Sequence, residues 1–238
     1  MFSHFDNRNG DPQRHIHCTI LTPCLRKDGT WASINGAKLR DWTRTLGPMF
    51  RCELATLLQE RFGVRIGMQS AEGQRSKWFE LQDVPPDLVR HWSSRREEIL
   101  QQLKDSGLDP KNTSAAARTR ANLESRAAKN DHRPLQERRE EWRQTAKGLG
   151  YPSLSVRDRQ EFRPRALTNG EFTELVRQSA ARLHEQSSTF TYRDLLKEVC
   201  EASECRGVTA KVLDRRLREA VNSSPEIRRL GALQREEH

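Results

Sequence analysis

The chain is 238 residues long, with 32% charged and 34% hydrophobic side chains and a net charge of +9. Its mean hydropathy of −0.90 and its short apolar runs exclude a membrane-spanning helix, which needs ~20 apolar residues; residues 1–11, with Asp6, Asn7 and Asn9, carry no apolar signal-peptide core. Five cysteines, an odd number with no Cys-x-x-Cys pair, exclude a disulfide scaffold and read as reduced thiols of a cytoplasmic protein.

The basic excess is local. Residues 1–110 hold 16 Lys and Arg against 14 Asp and Glu, residues 111–165 hold 14 against 7, and residues 166–238 hold 12 of each. A concentrated basic block points to phosphate-bearing partners, with a solvated helical linker as the plain alternative.

In chain order, residues 2–5 read as a short strand, followed by the polar turn Asp6-Asn7-Arg8-Asn9-Gly10-Asp11-Pro12 and a strand over residues 15–22. Lys27-Asp28-Gly29 is a hairpin turn, because Asp-Gly accepts the positive φ such turns require, and residues 30–34 return as its partner strand. Leu39, Trp42, Leu46, Phe50, Leu54, Leu57, Leu58 and Phe62 then form one apolar stripe at helical spacing, with a kink or break expected at Gly47-Pro48. Residues 64–69 and 77–81 read as a weaker strand pair around Glu72-Gly73. A helix over residues 87–103 puts Leu88, Trp92, Ile99 and Leu103 inward. Ser114 is a natural cap for a helix over residues 115–129, and Pro134 opens another over residues 135–149. After a polar linker over residues 152–169, helices are expected over residues 170–186, 191–202 and 209–222. Cys18 and Cys24 read as buried small apolar residues, Trp31, Trp42, Trp78 and Trp92 chiefly as core, and Tyr151 and Tyr192 as packing residues.

Three of the seven histidines, His4, His15 and His17, fall within fourteen residues. On a strand, residues i and i+2 share a face ~7 Å apart, so His15 and His17 project in parallel and can converge on one cation. If the turn folds back, His4 completes the trio. A His-x-His pair alone also fits a solvated strand; the third histidine across a tight turn is what favours metal. Three neutral ligands leave a cation its full charge for Lewis-acid work on a phosphoryl or carbonyl oxygen.

The run His4-Phe5-Asp6-Asn7-Arg8-Asn9-Gly10-Asp11-Pro12-Gln13-Arg14-His15-Ile16-His17 closely resembles the metal motif of conjugative relaxases of the TrwC/TraI (MobF) type, with His4, Arg8, Asp11-Pro12, His15 and His17 at the family's positions. Lys27 to Trp31, Leu39 to Gly63 and Phe79 to Arg96 resemble the hairpin, helix and closing elements of that domain. Leu123 to Arg126 and Trp142 to Gly150 resemble the basic segment joining it to a helicase region, and Ala180 to Glu185 with Phe190 to Leu195 resembles the start of that region.

The resemblance implies an α+β fold: a partial relaxase-type antiparallel sheet with flanking helices and a central His-hydrophobe-His strand, then a mainly helical basic connector and a small helical C-terminal region. It divides the chain into a partial relaxase domain over residues 1–110, a connector over 111–169 and a helical region over 170–238. It implies site- and strand-specific nicking of plasmid DNA, in which a tyrosine attacks the scissile phosphate while the histidines hold a divalent metal (Zn, Mn, Mg, Co or Ni). Single-stranded DNA is the implied partner, with Arg8, Arg118, Arg120, Arg126, Arg138, Arg139 and Arg143 as candidate contacts, although Arg8 also fits a structural role in the turn.

The family's tyrosine region and its acidic residue have no counterpart in these residues, and no phosphate-binding loop occurs. The sequence therefore reads as the interior of a relaxase–helicase: inactive by itself as an enzyme, exposing an unpaired sheet edge, and so expected to be marginally stable, to self-associate or to need an upstream polypeptide. The alternatives are a non-catalytic nucleic-acid-binding or partner-docking remnant and, more weakly, a metallohydrolase unrelated to DNA.

Overall fold

The structure is a computed structural model that describes residues 1–69, 75–110, 112–125, 133–151, 165, 167–224 and 226–227. The expected turn at Glu72-Gly73, the end of the helix beyond residue 125, Arg126 and most of the linker after Tyr151 lie outside these residues. The chain divides into two compact units, Met1–Ile34 with Val84–Ser155, and Asn35–Asp83 with Val156–His238.

In the first unit, β1 (Phe2–Asp6) pairs antiparallel with β2 (Pro12–His17), and β3 (Pro23–Leu25) pairs with β4 (Trp31–Ser33). Gly10 and Gly29 turn these hairpins at φ of 86° and 81°, where a side chain would be strained. The second strand was expected over residues 15–22. It starts earlier and stops at His17, because its ladder with β1 is used up at the Phe2–His17 pair. Among the described residues β2 pairs with β1 alone, so the His-Ile-His strand has one strand neighbour rather than a central place. Cys18 is exposed and Cys24 only half-buried, against the expectation that both would be core. Trp31 is 72% exposed, so it too is no core residue.

The helices of this unit are α2 (Pro86–His91), α3 (Ser94–Asp105), α4 (Ala115–Glu124) and α5 (Leu135–Gly148). The single helix expected over residues 87–103 is broken at Trp92 and Ser93, where the Ser93 hydroxyl bonds the Val89 carbonyl at 2.6 Å. A hydroxyl bonding backward in this way competes with the helical ladder. Ser114 caps α4 as expected, accepting from the Ala117 amide. Leu88, Leu103, Ala121 and Ala146 supply a small buried interior.

The second unit is built on α1 (Gly36–Phe62), the antiparallel pair β5 (Ile66–Gln69) and β6 (Arg75–Leu81), and helices α6 (Asn169–His184), α7 (Tyr192–Ser203) and α8 (Ala210–Ser223). Leu195, Leu196, Val199, Leu213 and Leu217 are at the centre of its core, with Phe172 and Val176 from α6. Thr168, Thr191 and Thr209 cap the three C-terminal helices, the first two in reciprocal capping boxes with Glu171 and Asp194.

Helix α1 departs from expectation twice. It runs unbroken through Pro48, which is buried. The missing amide of a helical proline costs one intrahelical bond, yet α1 continues past Pro48 on the face that meets α7. The buried face of α1 is Thr45, Pro48, Cys52, Ala55, Thr56 and Gln59, while Leu39, Leu46, Phe50, Leu57 and Phe62 of the apolar stripe are exposed. Small residues at 45, 52 and 55 allow close helix approach: Thr45 donates to the Arg193 carbonyl at 3.3 Å and the Cys52 thiol to the Cys200 carbonyl at 3.1 Å. Trp42 packs on the core, whereas Trp78 is largely exposed beneath the Arg51 guanidinium.

Candidate metal centre

The β1–β2 register sets His4 directly opposite His15 and Phe2 opposite His17. Ring centroids lie 5.2 Å apart for His4–His15, 4.7 Å for His4–His17 and 5.0 Å for His15–His17. One ligand nitrogen from each lies within 4.8 Å of the others. His15 is half-buried and the other two are exposed, so the cluster opens to solvent on one side. The Nδ1 of His15 bonds the Gln13 carbonyl at 2.9 Å. As a donor there, it leaves Nε2 as the metal-directed nitrogen, which is how protein ligands fix an imidazole tautomer. The three-imidazole donor set therefore fits a divalent cation, and Cys18 is not part of the cluster.

The turn that brings the strands together is tied from within and from behind. Asn7 donates to the Asp11 carboxylate at 2.8 Å and accepts the Asp11 and Asn9 amides. From α3, Ser94 donates to the same Asp11 carboxylate at 2.6 Å, and Glu98 accepts from the Asn9 side chain at 2.5 Å. From α5, Trp142 Nε1 donates to the Gly10 carbonyl at 3.0 Å, the Arg139 guanidinium stacks on Phe5 at 4.9 Å, and Arg138 forms an ion pair with Asp6. Arg95 on α3 links Glu98 to the C-terminal end of α4, donating to the Asn122 and Ser125 carbonyls.

The arginines expected at DNA are in three situations. Arg138 is 14% exposed and committed to Asp6, which is itself 5% exposed, so its guanidinium is not presented at the surface. Arg120 and Arg143 are exposed and paired with Glu124 and Glu140 on their own helices. Arg8, Arg118 and Arg139 are exposed, Arg118 donating to the Pro110 carbonyl at 3.2 Å. Beside Arg139, Arg143 and Lys147, a cleft of about 1150 Å³ is walled by Trp92, Trp142 and Tyr151. Sequence reading missed Asp6, Trp142, Ser94 and Glu98. For α5 a signal existed, since Arg138 and Trp142 lie at i and i+4, on one helix face.

Residues 1–149 match the family model described as TrwC relaxase. The chain belongs to the TrwC relaxase family. It is 26% identical over 211 residues to the multifunctional conjugation protein TraI of Escherichia coli, a match covering 82% of this chain and 11% of TraI. The metal-bound structure of conjugative relaxase TrwC in complex with oriT DNA aligns with a TM-score of 0.55 at 33% identity, covering 63% of this chain and 49% of that one. A metal-free TrwC complex with oriT DNA aligns with a TM-score of 0.55 at 32% identity, over 63% and 51%. This TrwC-family chain thus spans about half the length of the TrwC chains and about a tenth of TraI. The family match carries the α+β fold class, and no helix among the described residues is long and apolar enough to cross a membrane.

Proposed function

We propose that this chain is the metal-holding part of a conjugative DNA relaxase, with His4, His15 and His17 as the ligands of one divalent cation and single-stranded DNA as the substrate. The observation that carries the reading is the convergence of the three imidazoles within 4.8 Å on a hairpin whose sequence has the family's motif. When bound, the cation supplies Lewis-acid stabilisation of the charge that develops on a phosphate during strand transfer. The histidines hold their nitrogens on one face, Gln13 orients His15, and the open side of the cluster leaves room for a phosphate. Ligand preference admits Zn, Mn, Co or Ni ahead of Mg.

The basic residues give the strand its path: exposed Arg8, Arg118, Arg120, Arg139 and Arg143 neutralise backbone charge. The helical ion pairs Arg120–Glu124 and Arg143–Glu140 contribute little on a surface, so Arg120 and Arg143 can exchange a carboxylate for a phosphate. The nucleophile comes from an upstream polypeptide. Tyr192 donates its hydroxyl to the Asp214 carboxylate at 2.8 Å, and burial together with that bond pushes its phenol well above the usual range, which is the opposite of activation. The reading further divides the chain into the metal domain over residues 1–110, the connector over 111–169 and a helical region over 170–238, in a protein that works in the cytoplasm.

The test pairs residues 1–238 with a tyrosine-bearing upstream segment of a TrwC-family relaxase and an oligonucleotide carrying its cleavage site. Cleavage that requires added divalent metal and disappears in His15→Ala and His17→Ala is the expected outcome. Oligonucleotide binding that survives both substitutions without any cleavage would instead establish the non-catalytic binding module.

A further inference from the structure

Three contacts run from one helix to the metal hairpin. On α5, Arg138 pairs with Asp6, Arg139 stacks on Phe5, and Trp142 bonds the carbonyl of Gly10. All three land between His4 and His15. The ladder also changes register there: between the His4–His15 pair and the Asp6–Pro12 pair, β2 carries one more residue than β1. Such a bulge re-aims the side chains beside it. Gln13, whose carbonyl orients His15, is in this extra stretch. The strand that carries two of the three ligands is thus registered against β1 at a bulge whose closing residue, Asp6, is fixed from outside the hairpin.

The fixing is electrostatically tight. Asp6 and Arg138 are both nearly removed from solvent, and the Nε of Arg138 is buried without a hydrogen-bond partner. A guanidinium committed in this way to a buried carboxylate is not presented for surface contact with DNA. A two-stranded hairpin alone is marginal in water, so the geometry of the three histidines depends on what clamps it.

We propose that Arg138 and Trp142 are positioning residues for the metal centre: α5 braces the bulged hairpin, so cation binding at the histidines and docking of α5 are thermodynamically linked. The inference rests on the metal reading above for its cation, although the brace has a readout of its own. Linkage is reciprocal: whatever α5 docking adds to cation affinity, the cation returns as protection of α5.

The experiment uses the full chain with Zn²⁺ as the probe, measuring affinity by competition with a chelator and backbone protection by amide hydrogen exchange. In Arg138→Met, Zn²⁺ affinity is expected to fall about 10- to 100-fold, as for other residues that orient ligands. Amides of residues 2–17 are expected to exchange faster than in wild type even without metal, and Arg138→Lys should recover part of both effects. In wild type, saturating Zn²⁺ should slow exchange in α5 and leave α6 to α8 unchanged. Trp142→Phe, which keeps an aromatic ring in place of the indole and removes the bond to Gly10, should show the same changes at smaller size, and it decides the matter if Arg138→Met does not fold. Wild-type affinity and wild-type exchange of the hairpin in the folded variants would overturn the brace. If wild type itself holds no Zn²⁺, the metal reading fails, and exchange of residues 2–17 alone decides the brace.

Discussion

His4 and His15 stand directly opposite each other in the β1–β2 ladder, their rings 5.2 Å apart. A pair in register on neighbouring strands is fixed by backbone hydrogen bonds rather than by side-chain packing, so exposed rings can still be held at metal-binding separation. His17, two residues on, reaches the same face by the alternation of the strand. Removing the central ligand leaves two imidazoles, too few for a closed site. His15→Ala should therefore lower Zn²⁺ affinity by about 100-fold or more, at least matching the loss of an orienting partner. Cys18→Ser, a change next to His17 but outside the cluster, should leave affinity unaltered. Chelator competition measures both, and equal affinities for the two variants would remove the metal reading.

The helical unit should lose stability in acid. Glu174 is drawn down from 4.5 to about 2 by the Arg177 and Gln178 side chains that bond it. Glu171 is lowered by the Thr168 amide and hydroxyl. Burial by itself would raise Asp194 and Asp214, but bonds from Thr191 to the first and from Arg218 and Tyr192 to the second bring both down. A carboxylate with a depressed folded pKa contributes stability that is complete above its unfolded value and disappears as pH falls through the folded one. The loss should set in below pH 4.5 and deepen toward pH 2, the two values between which Glu174 is shifted. Because Glu171 and Glu174 are at the surface, where ion pairs contribute little, the effect is small: thermal unfolding followed by circular dichroism should give a slightly lower midpoint at pH 3 than at pH 6, and equal midpoints contradict the assignment.

Much of the metal hairpin was legible in the sequence because its signals are local: a strand alternation, a turn with Gly10, and three histidines at fixed spacing. The Ser114 cap of α4 was legible for the same reason. The face of α1 was not. Periodicity shows that Leu39, Leu46 and Phe50 share a stripe, but which stripe is buried depends on α7, more than a hundred residues away, and the close approach of Cys52 to Cys200 selects the small-residue face. Arg138 failed for a related reason. Within a basic block, one arginine looks like its neighbours until the buried Asp6 that holds it is seen.

Thiol reactivity offers a quick check on the exposure of Cys18 and on the buried face of α1. Cys18 is exposed, whereas Cys52 and Cys200 are fully buried and burial pushes the Cys205 thiol up to about 11. The thiolate is the reactive form. Iodoacetamide at neutral pH should label Cys18 first, Cys205 much more slowly, and Cys52 and Cys200 only after unfolding, as peptide mass spectrometry will resolve. Early labelling of Cys52 would mean that α1 does not bury the face described.

The cleft on α5 should contribute to DNA affinity through two separable terms. Trp92 and Tyr151 offer ring faces, and Arg143 and Lys147 offer charge beside them. Base stacking on an aromatic side chain is worth about 1–3 kcal/mol, so Trp92→Ala should weaken binding of a single-stranded oligonucleotide about tenfold while leaving the dependence on salt unchanged. Arg143→Gln removes a phosphate contact instead. It should weaken binding more evenly across sequences and reduce the slope of log affinity against log salt by about one. Salt titrations of both variants by fluorescence anisotropy separate the terms. Two variants that match wild type in affinity and slope would take the strand away from α5 and leave the metal hairpin as its contact in the first unit.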